Sequence, residues 1–167
     1  MNEPLVRATM EKAKRLGLKV ALDLSNFNIV NAYKGLLEDL ILAYVDILFS
    51  NESEAEAYTG QKADEAVRTL SGLVEVSLVT LGKQGALIGS RGQVFSVPAE
   101  GGKPVDTTGA GDHFAAGFLY GQSVGASLER SARIGSLLAG YVIDVVGPEI
   151  PGDKWEQIKL KVKEILA

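Results

Sequence analysis

The stretch DTTGAGDHFAAGF occupies residues 106–118 and decides how the second half of the chain folds. Its glycine-rich start predicts a tight turn, and the apolar spacing after Asp112 predicts a helix that begins at this turn. The first N–H groups of a helix lack partners and lie at the positive end of its dipole, so such a turn suits an anion. Gly109, Ala110, Gly111 and Asp112 are therefore candidates for an anion-binding cradle. A plain turn before an acidic helix start explains a bare G-x-G-D equally well.

Asp112 is the candidate proton acceptor of this stretch. A carboxylate beside a bound phosphate is placed to take the proton of an attacking hydroxyl group. His113 adjoins it, but a single histidine at a helix start is more often structural than catalytic. We therefore leave His113 out of the candidate site.

Outward from this stretch, segments with helical and strand-like patterns alternate along the chain. The patterns predict helices over 4–16, 31–43, 52–58, 64–70, 110–121, 126–146 and 153–166 and strands over 18–24, 45–50 and 76–81. Two more short strands in 86–97 flank the turn Ser90-Arg91-Gly92 and predict an antiparallel extension. Alternating helices and buried strands predict an α/β fold, a mostly parallel sheet with helices on both faces. Ligands of such sheets bind outside the carboxyl ends of the strands.

Length and composition limit the classes of protein. A chain of 167 residues predicts a single domain over residues 1–167. A net charge of -4, from 17 Lys and Arg against 21 Asp and Glu, argues against a general nucleic-acid binder. The absence of Cys and the single His exclude Cys-ligated zinc and histidine metal clusters. With no signal sequence and no long apolar run, we expect a cytoplasmic protein without a membrane partner.

The stretch 106–118 resembles the second signature of the PfkB carbohydrate kinases, the ribokinase-like family. The resemblance implies a ribokinase-like fold, with Asp112 as the catalytic base. It also implies that the backbone of Gly109, Ala110, Gly111 and Asp112 forms an anion hole for the transferring phosphate.

A second motif, Asn51-Glu52-Ser53-Glu54, follows a predicted strand and resembles the N-x-x-E motif of the family, which organises Mg²⁺ and phosphate through water. Because Mg²⁺ keeps much of its own water, Asn51 and Glu54 suffice for such a role. The alternative is a capping box, with Asn at the N-cap and Glu three residues later. The position after a strand favours the magnesium interpretation.

Further candidate contacts rest on weaker signals. Thr80-Leu81-Gly82-Lys83-Gln84-Gly85 resembles the T-x-G-x-x-G segment that lies beside the ATP phosphates in the family, which makes Thr80, Gly82 and Gly85 candidate nucleotide contacts. A plain turn between two strands explains this segment equally well. Ser136 and Gly140 lie on the helix that lines the adenine pocket in the family, although close helix packing is the commoner reason for small residues.

Two more sets of residues follow from the resemblance. Asp106 and Thr108, with the turn 145–148, are implied as a site for a monovalent cation such as K⁺ in some members of the family. Asp23-Leu24-Ser25-Asn26 resembles the D-x-N stretch of the family with one residue more than the usual spacing, so we assign it a supporting role.

The resemblance implies an ATP-dependent phosphotransferase, a kinase whose acceptor is a hydroxyl of a small-molecule nucleoside or sugar. Residues 114–121 and 133–136 look more like the bacterial adenosine-kinase-like branch, which favours a nucleoside over a ribose- or fructose-type sugar. The motifs present belong to the C-terminal half of the family. The first glycine-rich signature and the lid are not found, so we expect a partial domain that is inactive in isolation. An exposed sheet edge then favours a homodimer. The alternative function is a non-catalytic nucleotide-binding or interaction module.

Overall fold

The computed structural model describes residues 2–101 and 104–167, and within them the chain alternates between helices and strands before ending in three helices. The first part comprises α1 (Glu3–Arg15), β1 (Ala21–Asp23), α2 (Phe27–Tyr44), β2 (Ile47–Asn51), α3 (Glu52–Thr59), α4 (Ala63–Ser71) and β3 (Val76–Thr80). The second part comprises β4 (Ala86–Ser90), β5 (Gln93–Val97), α5 (Ala110–Ser123), α6 (Leu128–Ile143) and α7 (Trp155–Leu166). Short 3-10 turns lie at Gly82–Gln84 and Gly152–Lys154.

The five strands form a mixed sheet in the order β1-β2-β3-β4-β5. β1, β2 and β3 are parallel neighbours. The connections from β3 to β4 and from β4 to β5 are too short for a parallel crossover, so these strands form hairpins. Arg91 and Gly92 both have positive φ, as a two-residue hairpin turn requires. The predicted α/β fold with an antiparallel extension is confirmed.

The described residues group into two compact units. The first contains the chain up to Thr80 together with Leu87–Val94, and the second contains Leu81–Ala86 and Phe95–Ala167. In the first unit, four consecutive residues of β2 and four of β3 are buried, so both faces of these strands are covered. In the second unit, α6 and α7 share a core of Ile134, Leu137, Val142, Ile150, Ile158 and Ile165. A single domain over 1–167 stays a prediction.

Several boundaries differ from those predicted by a few residues, and that of α2 has an identifiable cause. α2 begins at Phe27 rather than at residue 31, because the Asn26 side chain caps it by accepting the N–H groups of Asn28 and Ile29. β1 is shorter than the apolar run 18–24 and covers Ala21–Asp23. None of the helices in the described ranges has the length and apolar character needed to cross a membrane.

Candidate functional site

The cradle stretch lies in the second unit, where α5 begins at Ala110 after the N-cap Gly109. The N–H of Ala110 donates to the carbonyl of Thr107 at 3.2 Å, and the N–H of His113 donates to the carbonyl of Gly109 at 3.0 Å. No acceptor among the described residues takes the N–H groups of Gly111 and Asp112, and no side chain caps this helix. Two backbone donors are therefore available to a ligand at the positive end of α5.

The surroundings of Gly111 leave room for a ligand. A Cβ atom added to Gly111 would meet no atom of residues 2–101 and 104–167 within 4 Å, and the φ of Gly111 is not in the left-handed region. The exposed carboxylate of Asp112 lies in the same first turn of α5. The predicted anion donors and the predicted base therefore share one open helix turn.

Gly109 is held in a conformation that favours glycine. Its φ is +80°, and a Cβ atom there would lie 2.9 Å from Cβ of Pro148. The carbonyl of Gly109 also lies 2.9 Å from Nδ1 of His113. Neither contact could be predicted from the sequence, because Pro148 lies far along the chain and a single histidine gives no spacing signal.

Asp106 fastens the segment that leads into the cradle. One carboxylate oxygen accepts the N–H and the hydroxyl of Thr108, at 2.9 and 2.7 Å, and the other accepts the N–H of Gly147 at 2.9 Å. The backbone hydrogen bonds from Thr108 and Gly147, with the Thr108 hydroxyl, lower the pKa of the Asp106 carboxyl. Hydrogen bonds thus bring Asp106, Thr108 and Gly147 of the turn 145–148 together and close a loop. A monovalent cation there stays a prediction.

Gly82 and Gly85 lie in a tight turn between β3 and β4, and the space around the two residues differs. Gly82 has φ +53°, and a Cβ atom there would meet nothing within 4 Å. A Cβ atom on Gly85 would clash with the carbonyl oxygen of Val97. The backbone of β5 therefore accounts for Gly85, whereas Gly82 remains open toward solvent or a ligand.

Ser136 and Gly140 are buried against residues 98–101. The Ser136 hydroxyl donates to the carbonyl of Pro98 at 2.7 Å and accepts the N–H of Glu100 at 3.0 Å. A Cβ atom on Gly140 would clash with the Glu100 carbonyl oxygen. These contacts fit the alternative of close packing, and contact of either residue with an adenine ring stays a prediction.

In the first unit, Asn51 and Glu54 form a complete capping box at the start of α3. The Glu54 carboxylate accepts the N–H of Asn51 at 2.8 Å and its side-chain amide at 2.6 Å, while Asn51 Oδ1 accepts the Glu54 N–H at 3.0 Å. Burial raises the pKa of the Glu54 carboxyl, the hydrogen bonds from Asn51 oppose that rise, and the charge of Asp23 adds to it. The structural alternative is therefore present, and a magnesium role stays a prediction.

Three predicted residues of the first unit lie at the carboxyl ends of adjacent strands. Asp23 ends β1, Asn51 ends β2, and Thr80 ends β3 as the register partner of Asn51. The Thr80 hydroxyl donates to the carbonyl of Ser50 at 3.4 Å. Within the described part of the chain, no group of three or more His, Cys, Asp or Glu side chains is placed to hold a metal ion. A metal here would need few protein ligands.

The chain is similar in sequence and structure to known proteins. The chain matches the family described as pfkB family carbohydrate kinase over residues 2–155. It also resembles the crystal structure of adenosine kinase from Sinorhizobium meliloti, with a TM-score of 0.87 and 33% identity over 94% of this chain and 49% of that one. Fold and motifs together define a ribokinase-like protein. The chain belongs to the pfkB family of carbohydrate kinases, which confirms the resemblance inferred from its motifs.

Curated relatives differ in the substrate that their names give. An adenosine kinase of Saccharomyces cerevisiae is 34% identical over 128 residues, which cover 68% of this chain and 38% of that protein. A ribokinase of Haemophilus influenzae is 30% identical over 151 residues, 86% of this chain and 47% of that protein. The chain thus spans about half or less of the length of the relatives it matches.

Proposed function

We propose that the protein to which these residues belong is an ATP-dependent kinase that transfers a phosphoryl group to a hydroxyl of a nucleoside or sugar. The observation that carries this proposal is the first turn of α5. There, two backbone N–H groups that have no acceptor in the described part of the chain and the exposed Asp112 carboxylate lie beside the open face of Gly111. Family membership supports the same activity.

In this proposal, the oxygen of the acceptor hydroxyl forms a bond to the γ-phosphorus of ATP, and Asp112 accepts the proton that this hydroxyl loses. The bond from that phosphorus to the β,γ-bridging oxygen breaks, and ADP leaves. The N–H groups of Gly111 and Asp112 hold the charge on the phosphoryl oxygens, and the backbone of Gly109 and Ala110 forms the rest of the anion hole. The rest of the nucleotide is proposed to contact Thr80, Gly82, Ser136 and Gly140.

Mg²⁺ would supply neutralisation of phosphate charge when bound with ATP. Glu54, in the first turn of α3, and Asp23, at the end of β1, fit such an ion because both offer hard oxygen ligands, and the charge of Asp23 adds to the raised pKa of the Glu54 carboxyl. We propose that Glu54, held by Asn51, faces the ion through water.

A K⁺ site near Asp106 and Thr108 is also proposed. It is tested by comparing the kinase activity in K⁺ with the activity in tetramethylammonium.

The acceptor is proposed to be a nucleoside of the adenosine type, with ribose- and fructose-type sugars as the alternative. The likeness to adenosine kinases of two organisms supports this choice, and the match to a ribokinase supports the alternative. Competition between adenosine, ribose and fructose at equal concentration, measured as kcat/KM, decides between them.

The experiment that tests the function is Asp112→Asn in the protein as expressed from its natural gene. General acid–base catalysis contributes at least about 100-fold, so kcat should fall by that factor while Mg·ATP binding is kept. Asp64→Asn is the matched control, because Asp64 is also an exposed carboxylate in the first turn of a helix, α4. Activity of Asp112→Asn within tenfold of the unmodified protein refutes the assignment. Tight Mg·ATP binding with no turnover by the unmodified protein favours the non-catalytic nucleotide-binding module.

We propose that residues 1–167 by themselves have no measurable kinase activity. Phosphoryl transfer depends on positioning an acceptor and excluding water, and the motifs found here belong to the nucleotide side of the reaction. Phosphorylation of adenosine or a sugar by the purified 167-residue chain, free of host kinase, would contradict this.

We further propose that the isolated chain forms a homodimer through the outer side of β1, the end strand of the sheet. The Val20 carbonyl accepts the N–H groups of Asp46 and Ile47, and the Leu24 N–H donates to the Phe49 carbonyl. Because successive backbone groups of a strand alternate in direction, the N–H of Ala21 is directed away from β2. A strand at the end of a sheet favours pairing with another strand.

Side chains near this edge support a second copy as its partner. Antiparallel pairing centred on Leu22 would set Ala21 opposite Asp23 of the other copy and avoid like charges. Leu18 and Phe27, which flank the strand, are 55% and 50% exposed. Light scattering should report a dimer, and Ala21→Pro, which removes an outward N–H, should give monomers. A monomer at every concentration tested refutes this interface.

A further inference from the structure

His113 makes a contact with the cradle that the proposed reaction does not use. It is the single histidine of the chain, and it is half-buried in the first turns of α5. Its Nδ1 lies 2.9 Å from the carbonyl oxygen of Gly109, which also accepts the backbone N–H of His113 at 3.0 Å. The side chain therefore bonds back to the residue that caps its own helix.

The chemistry of this contact fixes the position of one proton. A carbonyl oxygen only accepts hydrogen bonds, so Nδ1 of His113 must carry the hydrogen. In the neutral ring, Nε2 is then without one. The contact thus predicts a neutral tautomer in which Nδ1, rather than Nε2, is protonated.

The same contact restrains the geometry of the cradle. Gly109 is in the left-handed region, with Pro148 packed against one side and the imidazole 3.6 Å from the position of an added Cβ atom. The Gly109 carbonyl and the Ala110 N–H belong to one peptide group, whose plane sets the direction in which α5 starts. The N–H groups of Gly111 and Asp112 follow in that turn.

We propose that His113 is a positioning residue of the anion cradle: its Nδ1–H holds the Gly109 carbonyl and so fixes the direction of the Gly111 and Asp112 N–H groups. The proposal rests on the proposed function only in assigning those groups to phosphate. A residue that merely stabilised α5 would change the free energy of unfolding and leave the anion affinity of the folded protein unchanged.

The first test is the tautomer, and it needs no activity. Because the chain has one histidine, long-range ¹H–¹⁵N spectra of the 167-residue chain report His113 without ambiguity. We expect the neutral ring to carry its proton on Nδ1. A neutral ring protonated mainly on Nε2 overturns the proposal, whatever the outcome for Asp112.

The second test compares His113→Asn with His113→Leu, two side chains of similar size. The Asn amide keeps a donor near the position of Nδ1, and Leu removes it. In His113→Leu we expect the amide signals of Gly111 and Asp112 to shift and Mg·ATP or inorganic phosphate to bind about three- to ten-fold more weakly, as loss of one hydrogen bond implies. His113→Asn should restore both. Unchanged amide signals in His113→Leu, or equal loss in both variants, overturns the proposal.

Discussion

Gly111→Ala tests the proposed anion cradle without disturbing the fold, because the chain itself leaves the space beside Gly111 open. An added Cβ atom meets nothing within 4 Å. The folded protein should therefore be as stable as the unmodified chain or slightly more so, since Ala exceeds Gly in helix propensity by up to about 1 kcal/mol. The methyl group would instead occupy space that an approaching phosphate needs.

The expected loss of affinity follows from the donors at this turn. A hydrogen bond to a charged group contributes about 1.5–3 kcal/mol, so obstructing one of the two N–H groups should weaken Mg·ATP binding by roughly 10- to 100-fold. Gly111→Val, with a larger side chain, should remove measurable binding. Isothermal titration with Mg·ATP, beside urea unfolding of the same samples, measures both quantities.

Gly35→Ala is the matched control for this substitution. Gly35 lies in α2, and a Cβ atom there also meets nothing within 4 Å. It should raise stability in the same way and leave Mg·ATP binding unchanged. If Gly111→Ala binds Mg·ATP as tightly as Gly35→Ala does, phosphate does not approach the backbone at Gly111 and the cradle assignment is wrong.

Three further substitutions test the packing around the site. Gly117→Ala should lower the free energy of unfolding by about 1–3 kcal/mol in urea titrations, because its Cβ atom would lie 2.8 Å from Cα of Gly135. Gly85→Ala should cost about 3 kcal/mol or more, since it meets the Val97 carbonyl at φ +95°, and unchanged stability would contradict the close approach. The stabilising effect of Asp106 relative to Asp106→Asn should be present above the unfolded pKa of about 3.9 and disappear as pH falls through the lowered folded pKa, as unfolding between pH 2 and 6 would reveal.

Local signals in the sequence predicted the order of elements and the start of α5. The glycine turn before residue 110 and the apolar spacing after it describe an interaction within a few residues, and the structure has the helix there. The capping box of Asn51 and Glu54 is equally local, and the sequence predicts it as the alternative to a magnesium role. The Asn26 side chain caps α2, and this helix therefore begins four residues earlier than its apolar pattern predicts.

Contacts between distant residues could not be predicted from spacing. The Ser136 hydroxyl bonds to the carbonyl of Pro98, 38 residues away, and Asp106 bonds to the N–H of Gly147, 41 residues away. Nothing near Gly85 in the sequence indicates that the Val97 carbonyl will lie against it. A small or polar residue carries the same local signal whether it faces a ligand or another part of the chain.

α5 and the segment that enters it are both attached to α6. The small residues of α6 therefore serve this packing whether or not a nucleotide contacts them. The carbonyl of Ile143, the last residue of α6, accepts the N–H groups of Val105 and Asp106. Further along, Gly117 and Gly135 bring the backbones of α5 and α6 into contact. Phosphoryl transfer depends on holding the reacting groups within a fraction of an ångström. Since the cradle lies between these two attachments, a substitution that separates α5 from α6 should misplace Asp112 before it unfolds the chain.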